Sequence, residues 1–388
     1  MTTVCGLPGP ARRCAHIAGR LAAGSSVVAL TGAYIDPVEV RDAVLGAASL
    51  RHHIPVPSAA VGVAPPRALS DALGADVSML LAGGADELPA SHVVYVDVDR
   101  GVGDPSSWYQ TLERYSAAAH AARSVGRDPW PAVLLCWPGD GVATPRPDVL
   151  LEIEHLHRAV HEIDARCMVR ARCGDTEDAV SRWREHVLPA LAGGDLALMD
   201  RLWDACVLGV EEVAKRCVAL AAERGWQPGD QQAPDAELRG IVSRRGGEEE
   251  QHLAFATIAR GVAPVERRLW RGLTGLLLPF LDDVRLALCE RYEHDFGAGW
   301  AVRWPPSSEE ELTLVRESHL QCQLGHLEAV AREAGRTGRH PGLPRLSKVA
   351  QRARIMRNSL AHYRPVAFTD YRNLLTEIER AGLRVSAR

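Results

Sequence analysis

The sequence predicts an α+β chain of two domains: an α/β domain with a parallel sheet and flanking helices over residues 1–195, and an all-α helical bundle over residues 196–388. Three observations lead there. In the first half, short Val- and Leu-rich runs alternate with helical patterns. In the second half, apolar residues recur at helical spacing. Gly- and Pro-rich breaks (WQPGDQQAPD, RWPPSSEEE, RTGRHPGLPR) then cut that half into separate helices.

The expected strands are SSVVALTG (25–32), VSMLLAGG (77–84), SHVVYVDV (91–98), AVLLCWPG (132–139) and ARCMVRARC (165–173). Such runs suit strands covered on both faces. Between them DPVEVRDAVLGAA, SSWYQTLERYSAAAHAARSVG and DVLLEIEHLHRAVHEID carry helical periodicity. Buried strands alternating with helices give a parallel sheet. From residue 196, LALMDRLWDACVLGVEEVAKRCVALAAERGW keeps helical spacing for some thirty positions. Helices are expected again at 248–260, 264–293, 308–335, 345–364 and 369–381, with no strand among them.

Composition narrows the class. A hydrophobic fraction of 46% over 388 residues allows each half a core. The net charge of −4 is not that of a cationic nucleic-acid sponge. The basic residues are nearly all Arg, with lysine only at Lys215 and Lys348. Nine cysteines without a CxxC, most inside apolar runs, read as reduced, buried thiols of a cytoplasmic protein. The N-terminus has no long apolar stretch, so no secretion signal is expected. The run LTGLLLPFL around residue 275 is too short to span a membrane.

The loop LTGAYIDPVEV follows the first expected strand, where a phosphate-binding loop would sit. A working loop needs glycines to expose backbone N–H groups, a Lys for the β/γ oxygens and a Ser/Thr for Mg²⁺. No lysine precedes residue 215, and Asp36 and Glu39 stand where phosphate would go. HVVYVDVD (92–99) resembles the acidic strand end that holds Mg²⁺ in P-loop NTPases, through Asp97 or Asp99. The first half therefore resembles a degenerate P-loop NTPase domain in layout, without the groups for ATP hydrolysis. A scaffold or a sensor of a partner or ligand is the expected role.

Three other constellations have spacings that metal sites use. Glu154, His157 and His161 would share a helix face, but no fourth ligand is evident. Glu249 and His252 form an ExxH of the di-iron type, yet a second such motif is lacking, and the acidic run reads as a charged helix N-terminus. Cys322 and His326 are four apart, a spacing that core packing also produces. No metal is expected.

The stretch RIMRNSLAHYRPV (354–366) is the richest in chemistry. At ~100° per residue, Val349, Ala353, Met356, Leu360 and Tyr363 form one stripe, which faces the core. Asn358 and His362 lie on the opposite face with Arg354 beside them, and Arg357 lies on the flank near Arg364. Pro365 ends the helix, so His362 falls in its last turn, where the dipole favours a cation. Between Pro344 and Arg388 there are ten Lys/Arg and three Asp/Glu, a local field suited to a polyanion.

Residues Arg357-Asn358-Ser359-Leu360-Ala361-His362 match the R-x4-H pattern, with a polar residue after the Arg, of the HEPN superfamily. These are small α-helical domains, many of them metal-independent endoribonucleases of toxins and anti-phage systems. The resemblance covers the motif and its surrounding bundle, residues 196–388. It implies an HEPN-like domain with catalytic Arg357, His362 and Asn358, and with Arg354, Arg364 and Arg352 binding RNA. It also implies no cofactor, a homodimer through the C-terminal domain and a defence context; because an unrestrained ribonuclease would harm its own cell, control by the N-terminal domain or a defence-system partner protein is expected. Some HEPN toxins carry H-x-Y, whose Tyr a partner nucleotidyltransferase modifies. Tyr363 directly follows the His, so that control is not carried over. The expected chemistry is attack of a ribose 2′-OH on its own phosphodiester. His362 would move the protons, and the Arg357 guanidinium would stabilise the charged phosphorane. Two alternatives stand beside it: a non-catalytic HEPN-like scaffold of a defence complex, and a nucleotide-binding regulator using Asp97 and Asp99.

Overall fold

Five parallel strands form the sheet of this mixed α/β protein: β1 (Val27–Leu30), β2 (His53–Val56), β3 (Val93–Asp97), β4 (Ala132–Trp137) and β5 (Glu152–His155), in the order β2-β3-β4-β1-β5. The computed structural model describes residues 4–31, 35–47, 53–56, 63–82, 93–97, 105–126, 130–137, 151–156, 159–174, 176, 178–233, 236–237, 239–245, 248–336 and 342–385. The chain divides into two compact units. One comprises residues 1–172, 192–200 and 217–259, and the other residues 173–191, 201–216 and 260–388. Among the described residues no helix is long and apolar enough to cross a membrane.

The central strands are buried because both faces are covered. Every residue of β1 and of β4 is buried. Val28, Leu30, Val133, Leu135 and Trp137 pack with Leu69, Leu80, Trp108, Leu112 and Tyr115 from the helices Pro65–Leu73, Val77–Leu81 and Pro105–Ser124. The helices Pro8–Ala22 and Pro37–Ala47 pack on each other and against β4. A buried tyrosine must place its hydroxyl, and Tyr115 donates to the Pro131 carbonyl at 2.8 Å.

Four expectations in this unit are corrected. VSMLLAGG was expected as a strand, but Val77–Leu81 is a helix, started by Asp76, whose main-chain carbonyl accepts the Leu80 N–H at 2.9 Å. ARCMVRARC was expected as a strand and belongs to the helix Glu162–Cys173. Ala165 and Val169 are buried one turn apart, with acids in the first turn and arginines in the last. The helix expected over DVLLEIEHLHRAVHEID is interrupted by β5, where Glu152, Ile153 and Glu154 alternate between faces, a period of two that the helical reading overlooked. The helix expected from 248 begins only at Leu253. Before it, β6 (Val242–Arg245) and β7 (Glu248–Gln251) form an antiparallel hairpin whose register sets Arg244 across from Glu249. Strand β2 was not anticipated. It lies at the sheet edge, where Pro55 is tolerated.

In the second unit every described element is helical. The 34-residue helix Ala263–Phe296 buries Val265, Leu269, Leu273, Leu277, Leu281, Val284, Leu288 and Tyr292, one stripe at helical spacing. Gly272 permits a close crossing: a Cβ there would stand 2.7 Å from the His186 carbonyl oxygen. The expected 308–335 helix is two, Glu309–Glu317 and Leu324–Arg336, separated by a short turn of 3₁₀ helix. Helix Leu343–Ala361 packs against Leu324–Arg336, Ala263–Phe296 and Phe368–Arg380.

Candidate functional site

Val349, Ala353, Met356 and Leu360 form the buried stripe of helix Leu343–Ala361, as the spacing predicts. Tyr363 does not extend it. The helix stops at Ala361, and Tyr363 takes a left-handed φ of 58° with 74% of its surface exposed. The terminus closes in the manner of a Schellman turn. Arg364 N–H donates to the Ser359 carbonyl at 2.9 Å, and Tyr363 N–H to that of Leu360 at 3.1 Å. Glycine usually fills the left-handed position, because a side chain there is strained. Trp270 braces the strained residue. Its indole N–H donates to the Leu360 carbonyl at 2.7 Å, and its ring meets Tyr363 at 4.9 Å between centroids. The sequence reading missed Trp270, whose lone indole on a bundle helix was the available signal.

This terminus sets out the expected catalytic groups. Arg357 and His362 are exposed and Asn358 is half-buried. Among the described residues, none of their three side chains has a hydrogen-bond or ion-pair partner within the chain. Arg357 and Asn358 line a polar groove of about 600 Å³ together with Arg285, Gln321, Gln323 and Arg354. His362 is not part of that lining. It caps the helix one turn beyond Asn358, with its N–H on the Asn358 carbonyl at 3.1 Å.

The arginines differ in how they are held. Arg354 donates through Nε to the buried carboxylate of Glu328 at 2.8 Å, and Arg332 stands 3.5 Å from the other Glu328 oxygen. Arg285 pairs with Asp282 at 2.8 Å and donates to the Leu320 and Cys322 carbonyls. Both are thus fixed in ion pairs, and the carboxylates Asp282 and Glu311 also line the groove. Arg352 is half-buried and Arg364 exposed, and neither lines the groove. Arg285, Gln321 and Gln323 were not singled out from the sequence, because they come from segments remote from the motif.

The other constellations take different forms. Asp36 Oδ1 accepts the Val38 N–H at 2.9 Å, so the chain's own carboxylate occupies the helix N-terminus that a phosphate would need. Glu39 accepts the Cys5 N–H at 2.6 Å. Asp97 ends β3, while Asp99 and His157 lie outside the described residues. Glu154 is on a strand and His161 precedes a helix, so the shared helix face is overturned. Glu249 is on β7 and His252 faces Asp195 at 2.8 Å, which likewise dissolves the ExxH. Cys322 is fully buried. The neighbouring Cys289 thiol, with His326 and His319 nearby, outweighs burial and pulls the Cys322 thiol below its usual range. All nine cysteines are free thiols; seven are buried, Cys173 is half-buried and Cys167 is exposed.

No protein-family model matches the chain, and no curated protein or solved structure does either.

Proposed function

We propose that the chain is a metal-independent endoribonuclease whose C-terminal helical unit is HEPN-like, acting in a prokaryotic anti-phage or toxin-type defence system. The observation that carries the reading is the set Arg357, Asn358 and His362. They share one helix end, Arg357 and His362 exposed and Asn358 half-buried, and their side chains have no partner among the described residues, beside a groove that Arg354 and Arg285 also line. An unpaired guanidinium keeps its donors for a phosphate, and an exposed imidazole can exchange protons with a ribose hydroxyl and a leaving oxygen.

In this reading the RNA backbone enters the groove along Arg354, Arg364 and Arg352. His362 takes the 2′-OH proton, that oxygen bonds to phosphorus, and the 5′-oxygen leaves with a proton from an imidazole. Arg357 stabilises the charge on the phosphorane, and Asn358 orients the phosphate. Because His362 stands outside the lining of its own chain's groove, a homodimer through this unit would bring one protomer's His362 to the other's Arg357. The sheet-bearing unit, a degenerate P-loop NTPase-like domain in this reading, or a partner protein restrains the activity.

The second reading is a non-catalytic HEPN-like scaffold. Its specific support is the apolar surface on the same helix end, where Ile355 is 52% exposed and Tyr363 74%. Incubating the full chain with RNA in EDTA separates the two. Cleavage by the wild type that His362→Ala abolishes supports the nuclease. Equal, negligible cleavage by both, with and without candidate partner proteins, supports the scaffold.

A further inference from the structure

Three side chains of helix Pro8–Ala22, namely Arg13, His16 and Arg20, meet two glutamates of the edge strand β5. Glu152 and Glu154 are two residues apart on a strand and so share one of its faces. His16 Nε2 stands 3.2 Å from Glu152 Oε1 and 3.3 Å from Glu154 Oε1. Donor atoms of the three residues lie within 4.8 Å of one another. The other carboxylate oxygens have separate work. Glu154 Oε2 accepts from Arg13 at 3.1 Å, and Glu152 Oε2 accepts from Arg20. Each glutamate therefore holds an arginine with one oxygen and turns the other towards the same imidazole nitrogen.

We propose that His16, Glu152 and Glu154 bind a first-row divalent cation of the Mn²⁺ type, and that a phosphate-like anion completes its coordination from the adjoining pocket. Atoms that each lie about 2.0–2.2 Å from one ion lie roughly 3 Å from each other, as His16 Nε2 does from each glutamate oxygen, and all three donor atoms fall within 4.8 Å. One imidazole with two carboxylates is a donor set for Mn²⁺, Fe²⁺ or Zn²⁺ rather than for Ca²⁺. The two arginines orient the carboxylates from behind, as outer partners of metal ligands commonly do.

Charge then points to the anion. Two carboxylates already balanced by two arginines leave a divalent cation with its positive charge uncompensated. Three protein ligands also leave coordination positions open. Beside His16 a pocket of about 490 Å³ is lined by Arg12, Arg13 and His161. Among the described lining residues the one carboxylate, Asp164, is buried and occupied, accepting the Gly9 N–H at 3.0 Å and the His161 N–H at 2.8 Å. Arg12 adds a positive charge to this lining beyond the Arg13–Glu154 pair, which suits an oxyanion such as inorganic phosphate beside the cation.

The test is Mn²⁺ titration of the EDTA-treated, dialysed full chain, followed by electron paramagnetic resonance. Mn²⁺ is preferable to Zn²⁺ because nine free cysteines would compete for zinc. The expected result is one Mn²⁺ per chain with a nitrogen coupling from imidazole. His16→Asn should lose that coupling and weaken binding about tenfold or more, and Glu152→Gln should weaken it similarly. Both positions reach solvent, so unfolding midpoints near the wild type's should confirm that the variants fold. Inorganic phosphate should tighten Mn²⁺ binding in the wild type and fail to do so in Arg12→Gln. A wild type that binds no Mn²⁺ at millimolar metal, or binding indifferent to both His16→Asn and Glu152→Gln, overturns the site. Indifference of the wild type to phosphate overturns the anion.

Discussion

Two polar clusters, each built around a histidine, stand in opposite conditions. In the sheet-bearing unit, Asp195 is buried and fully engaged: His252 Nε2 at 2.8 Å, Arg224 at 2.8 Å and the Leu198 N–H at 3.1 Å all meet its carboxylate. The other His252 nitrogen receives the Ala254 N–H at 3.1 Å, and Trp226 closes over the ring at 5.0 Å. In the helical unit, Arg357 and His362 are exposed and Asn358 is half-buried, and no side-chain bond among the described residues involves them. Polar groups that satisfy one another hold segments together, whereas groups left unsatisfied are available to a ligand. By that criterion His252 belongs to the architecture, while His362 is available to a ligand, as the proposed chemistry requires.

The largest effects should separate the clusters by what they control. Arg357→Ala and His362→Ala should each reduce RNA cleavage by about 10²–10⁴-fold while leaving the unfolding midpoint nearly unchanged. Asp195→Ala should do the reverse. It removes the buried acceptor that Arg224 and His252 share and should cost about 1–3 kcal/mol in urea unfolding, with the rate per folded molecule unaltered. Acid sharpens the same contrast. Burial pushes the Asp195 carboxyl upward, but the hydrogen bonds from His252 and Arg224 outweigh burial and hold it at about 2. Its folded value lies below the unfolded value of about 3.9, so its stabilisation is complete above that pH and is lost as pH falls towards 2. Denaturation followed between those values should show Asp195→Asn losing less stability than the wild type does.

Smaller effects probe the frame around the open cluster. Gly272→Ala should destabilise the helical unit by about 1–3 kcal/mol, because the added methyl meets the His186 carbonyl oxygen at 2.7 Å and Ala190 Cβ at 3.1 Å. Tyr363→Gly should change stability by less than about 1 kcal/mol. It relieves the left-handed φ of 58° but gives up the contact with Trp270. A thermal melt of each variant checks these.

Periodicity made the frame legible where burial was one-sided or complete. β1 and β4 are unbroken apolar runs, β3 is one up to Asp97, and the stripe Val349, Ala353, Met356 and Leu360 has a clean helical period. It failed where a short segment fits two periods. Glu152-Ile153-Glu154 satisfies a strand as well as a helix, and VSMLL gives no length from which to judge. For the candidate site, the motif put Arg357, Asn358 and His362 near one helix end. Arg285, Gln321 and Gln323 reach the groove by tertiary packing, which no local pattern encodes. Tyr363 was placed in the core stripe because its spacing continues the helix; the turn before Pro365 ends the helix first.

The most direct test of the account is the chemistry of the RNA ends formed in EDTA. Attack by the neighbouring hydroxyl predicts 2′,3′-cyclic phosphate and 5′-hydroxyl ends from the wild type and none from His362→Ala. Products bearing 5′-phosphate ends, or undiminished cleavage by His362→Ala, would contradict it.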